Sequence, residues 1–206
     1  MSFNTPILFL IFNRPETTQR VFDKIKIIKP RHLFVAADGP REGKNESEKC
    51  QAVRDIIKQI DWDCKVNTLF RDKNLGCKLA VSSAIDWFFD NVEEGIILED
   101  DCLPDPSFFK FCQELLVKYR EDSNVMCISG DNFNPNLYNG SDSYFFSKVA
   151  SIWGWASWRR AWKYYDIEMK SFLLFSKNNK VKKIFNSRLE QKAWLDVLLK
   201  NYQGRD

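Results

Sequence analysis

Two hydrophobic rhythms take turns along this chain. Pro6 to Phe12 is an unbroken apolar run followed by Asn13-Arg14-Pro15, which predicts a strand buried on both faces and then a helix with proline at its first position. That helix is apolar at Val21, Phe22, Ile25 and Ile28. Leu33 to Ala37 repeats the buried-strand pattern and stops at Asp38-Gly39-Pro40, a turn sequence. A second helix, with Val53, Ile56, Ile57 and Ile60 on one face, follows. Lys65 to Phe70 reads as a third strand, Leu79 to Phe89 as a third helix and Gly95 to Leu98 as a fourth strand. Asp105 before Pro106 caps a helix striped by Phe108, Phe111, Cys112, Leu115 and Tyr119, and Val125 to Ser129 is the fifth strand. Past Gly130 the rhythm gives way to an Asn- and Asp-rich loop, a short aromatic strand near Tyr144 to Ser147, and a Trp-rich segment.

Strands that lack period-two alternation and are separated by amphipathic helices predict an α/β fold with a mostly parallel central sheet flanked by helices. The 206 residues suffice for one sizeable core, and 44% hydrophobic with 29% charged residues is a globular composition. Thirty-one Lys and Arg against 28 Asp and Glu leave a net charge of +3, too mild for the concentrated basic stripe that nucleic acid requires. The longest early apolar run falls far short of the ~20 residues that cross a bilayer, and no charged n-region precedes it. A cytoplasmic protein is expected. The six cysteines lie 10 to 25 residues apart with no CxxC, so they offer no zinc spacing and read as reduced thiols, mostly buried.

In an open parallel sheet, ligands bind beyond the carboxyl ends of the strands. Those ends carry Asn13-Arg14, Asp38-Gly39, Arg71-Asp72 and the acidic run Glu99-Asp100-Asp101. A run of acids is ordinarily a solvated turn, but this one is delivered straight from the buried strand Gly95-Ile-Ile-Leu98. Adjacent carboxylates repel, so a divalent cation is a natural neutraliser, and all-oxygen ligation favours Mg²⁺ or Mn²⁺. The lone His32 precedes a strand at the opposite edge, which leaves neither a histidine metal site nor a Ser-His-Asp triad. No GxxxxGK and no GxGxxG is present, so a bound diphosphate would be held by metal and side chains.

Taken in order, Ile7-Leu-Phe-Leu-Ile-Phe-Asn-Arg-Pro15, Ala37-Asp-Gly39, Arg71-x-x-Asn-Leu-Gly76, Gly95-Ile-Ile-Leu-Glu-Asp-Asp-Cys-Leu-Pro-Asp-Pro-Ser-Phe-Phe109 and Trp153-Gly-Trp-Ala-Ser-Trp158 resemble the nucleotide-sugar glycosyltransferases of the GT-A fold. The likeness is to bacterial sugar transferases and, more distantly, to the Golgi mannosyl-glycoprotein N-acetylglucosaminyltransferase. It implies a metal-dependent, inverting transfer from a nucleoside-diphosphate sugar, a UDP-sugar being expected, to a hydroxyl of a glycan or other acceptor. It also implies one structural domain, with residues 1–130 forming the nucleotide-sugar-binding half and 131–206 the acceptor-side half.

The resemblance assigns roles by position. Glu99-Asp100-Asp101 stands where the family has its DxD-like motif, with Asp101 as ligand of Mn²⁺ or Mg²⁺ and Glu99 and Asp100 facing ribose and donor sugar. Arg14 and Asp38 stand where base and ribose are held, and Arg71 and Asn74 also face the donor. Against these stand a solvated helix start for Arg14 and a plain turn-former for Asp38. Trp155, flanking Gly154 with Trp153, is an acceptor-side candidate, since indoles stack on sugar rings. Trp158, Trp162 and Tyr165, at i, i+4, i+7, read instead as a helical core stripe. The general base lies in a Trp-Asp segment in the relatives. Asp196, in Trp194-Leu-Asp196, is the partial match here, and a family domain of roughly 250 residues leads to the expectation that the base lies beyond Asp206. Lys177, Lys180, Lys182 and Lys183 form a basic stretch, either a solvated face or a peripheral contact with a membrane or lipid-linked acceptor. A non-catalytic nucleotide-sugar or glycan-binding domain is the alternative. A phosphoacceptor receiver domain would need acids after the first strand, where Asn13-Arg14 stands.

Overall fold

The computed structural model describes residues 3–133 and 142–204. Strands β1 (Ile7–Ile11), β2 (His32–Ala37), β3 (Lys65–Phe70) and β4 (Glu94–Glu99) alternate with helices α1 (Pro15–Ile28), α2 (Ser47–Asp55) and α3 (Gly76–Asn91). Helix α4 (Pro106–Lys118), the two-residue β5 (Ile128–Ser129), β6 (Trp155–Trp158) and the single turn α5 (Arg159–Trp162) complete this part of the chain. The sheet order is β3-β2-β1-β4-β6-β5. The first four of these strands are parallel, while β6 runs antiparallel to both β4 and β5. This is the mixed, mostly parallel α/β architecture that the two rhythms predict.

Burial explains the unbroken apolar runs. All five residues of β1 are buried. Ile7, Phe9 and Ile11 pack into a cluster with Val21, Phe22 and Ile25 of α1 and Phe109, Cys112 and Leu116 of α4. Leu8 and Leu10 point the other way, into a second cluster with Ala84, Ile85, Phe88 and Phe89 of α3. A strand with a helix layer on each face has no side that tolerates polar residues. Strand β3, at the sheet edge, has its residues exposed or only half-buried, as expected where one flank is solvent.

Three sequence expectations change. Tyr144 to Ser147 forms no strand; the Tyr144 hydroxyl instead lies 2.6 Å from Lys118 Nζ and 2.7 Å from the Tyr119 hydroxyl. The strand of this region is Trp155–Trp158, paired Ile96↔Ala156 and Ile97↔Trp155. Trp158, Trp162 and Tyr165 therefore do not share a helix: Trp158 lies in β6 and α5 spans one turn. The first two still belong to the core, with Trp158 Nε1 donating to the Leu116 carbonyl at 3.2 Å and Trp162 Nε1 to Asp86 at 2.7 Å. Tyr165 is exposed. All six cysteines are free thiols as read, but Cys50 and Cys112 alone are fully buried, and Cys77 is exposed. Most of the Asn-rich loop expected after Gly130 falls on 134–141, outside the described residues.

The chain divides into two compact units, Met1–Phe145 with Val149–Lys163, and Phe146–Lys148 with Tyr164–Asp206. The second contains α6 (Phe172–Lys177), α7 (Val181–Ile184) and α8 (Arg188–Tyr202). Within it Phe185 stacks on Trp194 at 5.6 Å, and Phe172 packs against Tyr202. Among the described residues, no helix is long and apolar enough to cross a membrane.

Candidate functional site

Four parallel strands deliver their carboxyl ends to one edge of the first unit, and a cavity of about 360 Å³ opens there, within the usual range for a small-molecule site. Arg14, Asp38, Arg71, Asn74, Glu99 and Asp100 line it together with Leu10, Phe12, Arg41 and Cys77. The structure thus brings together all six residues singled out as donor-binding, although they come from four separate stretches of sequence.

Proline at the first position of α1 leaves Arg14 as its cap residue, outside the helical conformation, with φ −118°. From there its guanidinium reaches across to the end of β4. Nη2 lies 2.5 Å from Asp100 Oδ1 and Nη1 lies 2.9 Å from Asp101 Oδ2. Asp100 is 2% exposed, and its other oxygen accepts from the Phe12 amide at 3.2 Å. Burial pushes the Asp100 carboxyl up, against the pull of Arg14 and of its hydrogen bonds. Glu99 is likewise pushed up, first by burial and then by the charges of Asp101 and Asp100. The Asp101 side chain is 48% exposed and holds the Arg14 nitrogen on one oxygen, with the Cys102 thiol 3.8 Å from the other.

Asp38 turns out to be a clamp. Its Oδ1 accepts from the amides of Gly39 at 2.9 Å and Leu75 at 3.0 Å, and its Oδ2 from those of Leu75 at 3.1 Å and Gly76 at 3.2 Å. The Leu75 and Gly76 amides open α3, so a carboxylate at the end of β2 caps the helix of the next βα unit. Asn74 closes the same seam by donating to the Gly39 carbonyl at 2.8 Å and accepting from Gly76 at 3.1 Å. The seam explains Gly39: a Cβ there would collide with the Lys73 backbone at 2.6 Å. Arg71 Nη2 is tied to the Ser83 hydroxyl at 2.8 Å, which holds its guanidinium on α3 beside the cavity.

Two participants escaped the sequence reading. Arg41 lines the cavity, stands 5.6 Å from the Phe12 ring centroid, and forms a bidentate pair with Glu46. Glu46 also accepts from Asn13 Nδ2 at 3.0 Å, and the Arg41 hydrogen bonds hold its carboxyl down at about 2. Both lie in the loop between β2 and α2, where an Arg and a Glu five residues apart look like ordinary solvated charges. The available signal was the loop itself, since it leaves a strand end that already carried a candidate.

Two expected residues lie elsewhere. Trp155 is 8% exposed and fills the α3-side core, its ring 6.2 Å from Trp162. As part of an interior strand, it is covered on both sides. The exposed indole is Trp153, carried by Gly154 at φ 84°, a conformation that favours glycine. Asp196 belongs to the second unit, on α8. Trp194 packs inward on Phe185, and Asp196, two residues further round the helix, is exposed.

Among the described residues, no group of three or more His, Cys, Asp or Glu is gathered around a point that could hold a metal. The donor set at Asp101 fits a hard divalent ion in one respect, a half-exposed carboxylate oxygen. Further ligands would have to come from a bound molecule and water.

A mostly parallel sheet ordered 3-2-1-4-6-5, with an antiparallel strand inserted beside β4 and a cavity at the strand ends, defines the GT-A class of α/β folds. The mannosyltransferase PcManGT from Pyrobaculum calidifontis, in complex with GDP-Man and Mn²⁺, is similar in structure with a TM-score of 0.50 at 16% identity over 75% of this chain. The chain spans 44% of that protein's length. A looser likeness, with a TM-score of 0.45 at 9% identity, joins 85% of the chain to 84% of 4-diphosphocytidyl-2C-methyl-D-erythritol synthase from Anaerococcus prevotii. No protein-family model and no curated protein matches the chain.

Proposed function

We propose that this chain binds a nucleoside-diphosphate sugar, a UDP-sugar being expected, in the cavity at the strand ends and transfers the sugar to a hydroxyl acceptor as an inverting, metal-dependent glycosyltransferase. The observation that carries the reading is the meeting of Arg14, Arg41 and Arg71 with Glu99, Asp100 and Asp101 at one strand-end edge of a GT-A fold. Guanidiniums match the oxygens of a diphosphate, and carboxylates match sugar and ribose hydroxyls. The likeness to a mannosyltransferase in complex with GDP-Man and Mn²⁺ supports a nucleotide-sugar donor.

In this reading Arg14 and Arg71 bind the diphosphate and stabilise the charge that grows on it as the glycosidic bond breaks. Glu99 and Asp100 orient the donor, while Asp38 and Asn74 hold the turn after β2 against the start of α3. Asp101 would hold Mn²⁺ or Mg²⁺, which when bound supplies Lewis-acid neutralisation of the departing diphosphate. Asp196 is the candidate within this chain for the base that takes the acceptor proton. Exposed Lys177, Lys180, Lys182 and Lys183 would face an anionic acceptor or membrane surface.

The test is calorimetric titration of UDP-, GDP- and other nucleoside-diphosphate sugars, with and without Mn²⁺, on the wild type and Asp101→Ala. We expect binding of one nucleotide series, strengthened by Mn²⁺ in the wild type and not in the variant. Metal-dependent affinity that survives Asp101→Ala sinks the metal assignment, and no binding of any series sinks the reading. Binding without transfer in the presence of candidate acceptors identifies a nucleotide-sugar-binding domain instead.

A further inference from the structure

We propose that Arg14 is the resident counter-cation of the acidic pair and competes with a divalent metal for Asp101, so that metal enters together with a diphosphate rather than ahead of it. This rests on the reading of Asp101 as the metal-holding residue. Its basis is the fork at the end of β4, where one guanidinium gives one nitrogen to each of two neighbouring carboxylates, at 2.5 and 2.9 Å. Adjacent carboxylates at a strand end need a cation beside them, and this chain carries one of its own. A divalent ion at Asp101 would stand next to the guanidinium, and two cations cannot share that oxygen without repulsion.

The two carboxylates are not equivalent in this contest. Asp100 is turned inward and retains the Phe12 amide when Arg14 leaves. Asp101 is half-exposed, so it is the carboxylate that Arg14 releases to an incoming ion. The backbone of Arg14 stays in place during such a move: its carbonyl accepts from the Thr18 amide at 3.0 Å and the Thr18 hydroxyl at 2.7 Å, and Pro15 follows it. The side chain, half-exposed and lining the cavity, is the part free to swing. A diphosphate offers a guanidinium the same bidentate oxygens that the carboxylates do. Moving Arg14 onto the diphosphate would empty Asp101 at the moment when phosphate oxygens can complete a coordination shell.

Titration of the nucleotide-free protein with Mn²⁺ alone, read as the loss of the free-ion signal in electron paramagnetic resonance, tests this. Arg14→Met, which keeps the stem and removes the charge, is expected to bind Mn²⁺ about tenfold more tightly than the wild type, a coupling of ordinary size. Arg14→Gln should do the same, and Arg14→Lys should stay near the wild type. Arg41→Met removes another cavity cation, one paired with Glu46 rather than with Asp101, and should gain clearly less than Arg14→Met. Asp101→Asn added to Arg14→Met should abolish the gain. The proposal is overturned if neither neutral variant gains affinity, if Arg41→Met gains as much, or if the gain survives Asp101→Asn. Circular dichroism melts confirm that each variant is folded. Because no nucleotide is present, a protein that binds no nucleotide sugar defeats the proposed function while leaving this result to stand or fall by itself.

Discussion

Single residues around the cavity divide into those that hold the edge together and those that remain available. Asp38 is spent on three backbone amides, and Asn74 on a carbonyl and an amide. Motif and position could nominate both, but only their hydrogen bonds show that they brace the site. Arg14, Arg41 and Arg71 each keep a guanidinium at the cavity. The Glu46 pair with Arg41 has a consequence for stability. Glu46 titrates at about 2 in the folded protein against an ordinary 4.5, so its contribution is complete above pH 4.5 and is lost as pH falls toward 2. Thermal melts between pH 2 and 6 should show a loss over that window that is smaller in Glu46→Gln than in the wild type. Parallel curves for the two proteins would contradict it.

At the scale of elements, periodicity identified the β1–α1 and β2–α2 units and the helix α4 because each has a stripe or run that must be buried. Asp105 caps α4 as read, its Oδ1 accepting from the Ser107 amide at 2.9 Å. The error came in β6. Trp158, Trp162 and Tyr165 fall at helical spacing, and over so short a stretch a helical stripe and the end of a buried strand cannot be told apart. Pairing with β4 decides it, since Ala156 and Trp158 then join the α1 and α4 side of the sheet and Trp155 the α3 side. Trp158 is 1% exposed, so Trp158→Ala should cost about 3–5 kcal/mol of unfolding free energy in urea. A loss under about 1 kcal/mol, the scale of a surface change, would show that β6 is not the core strand described.

Across the whole molecule, burial is uneven. In β1, Ile7, Leu8 and Phe9 are 0% exposed, whereas α8 has no buried residue among its fifteen and its unit contains Phe172 and Val181 as its buried apolar side chains among the described residues. Local opening follows such differences. Hydrogen exchange should therefore proceed much faster in α8 than in β1, and equal protection would overturn the two-unit description. The alternation of buried runs and amphipathic stripes was enough, by itself, to determine the α/β class, the parallel strands and the strand ends where Arg14, Asp38, Arg71 and Glu99 to Asp101 sit, because burial on two faces imposes a composition that any reader of the chain can see. Tertiary structure alone decided that Asp38 clamps α3, that Trp155 is core, that Arg41 joins the cavity and that Arg14 already neutralises the acidic pair. Those facts depend on contacts between residues far apart in the chain, such as Arg14 and Asp101 at 87 positions, and the partner that a charged side chain finds across such a distance leaves no periodic trace in the sequence.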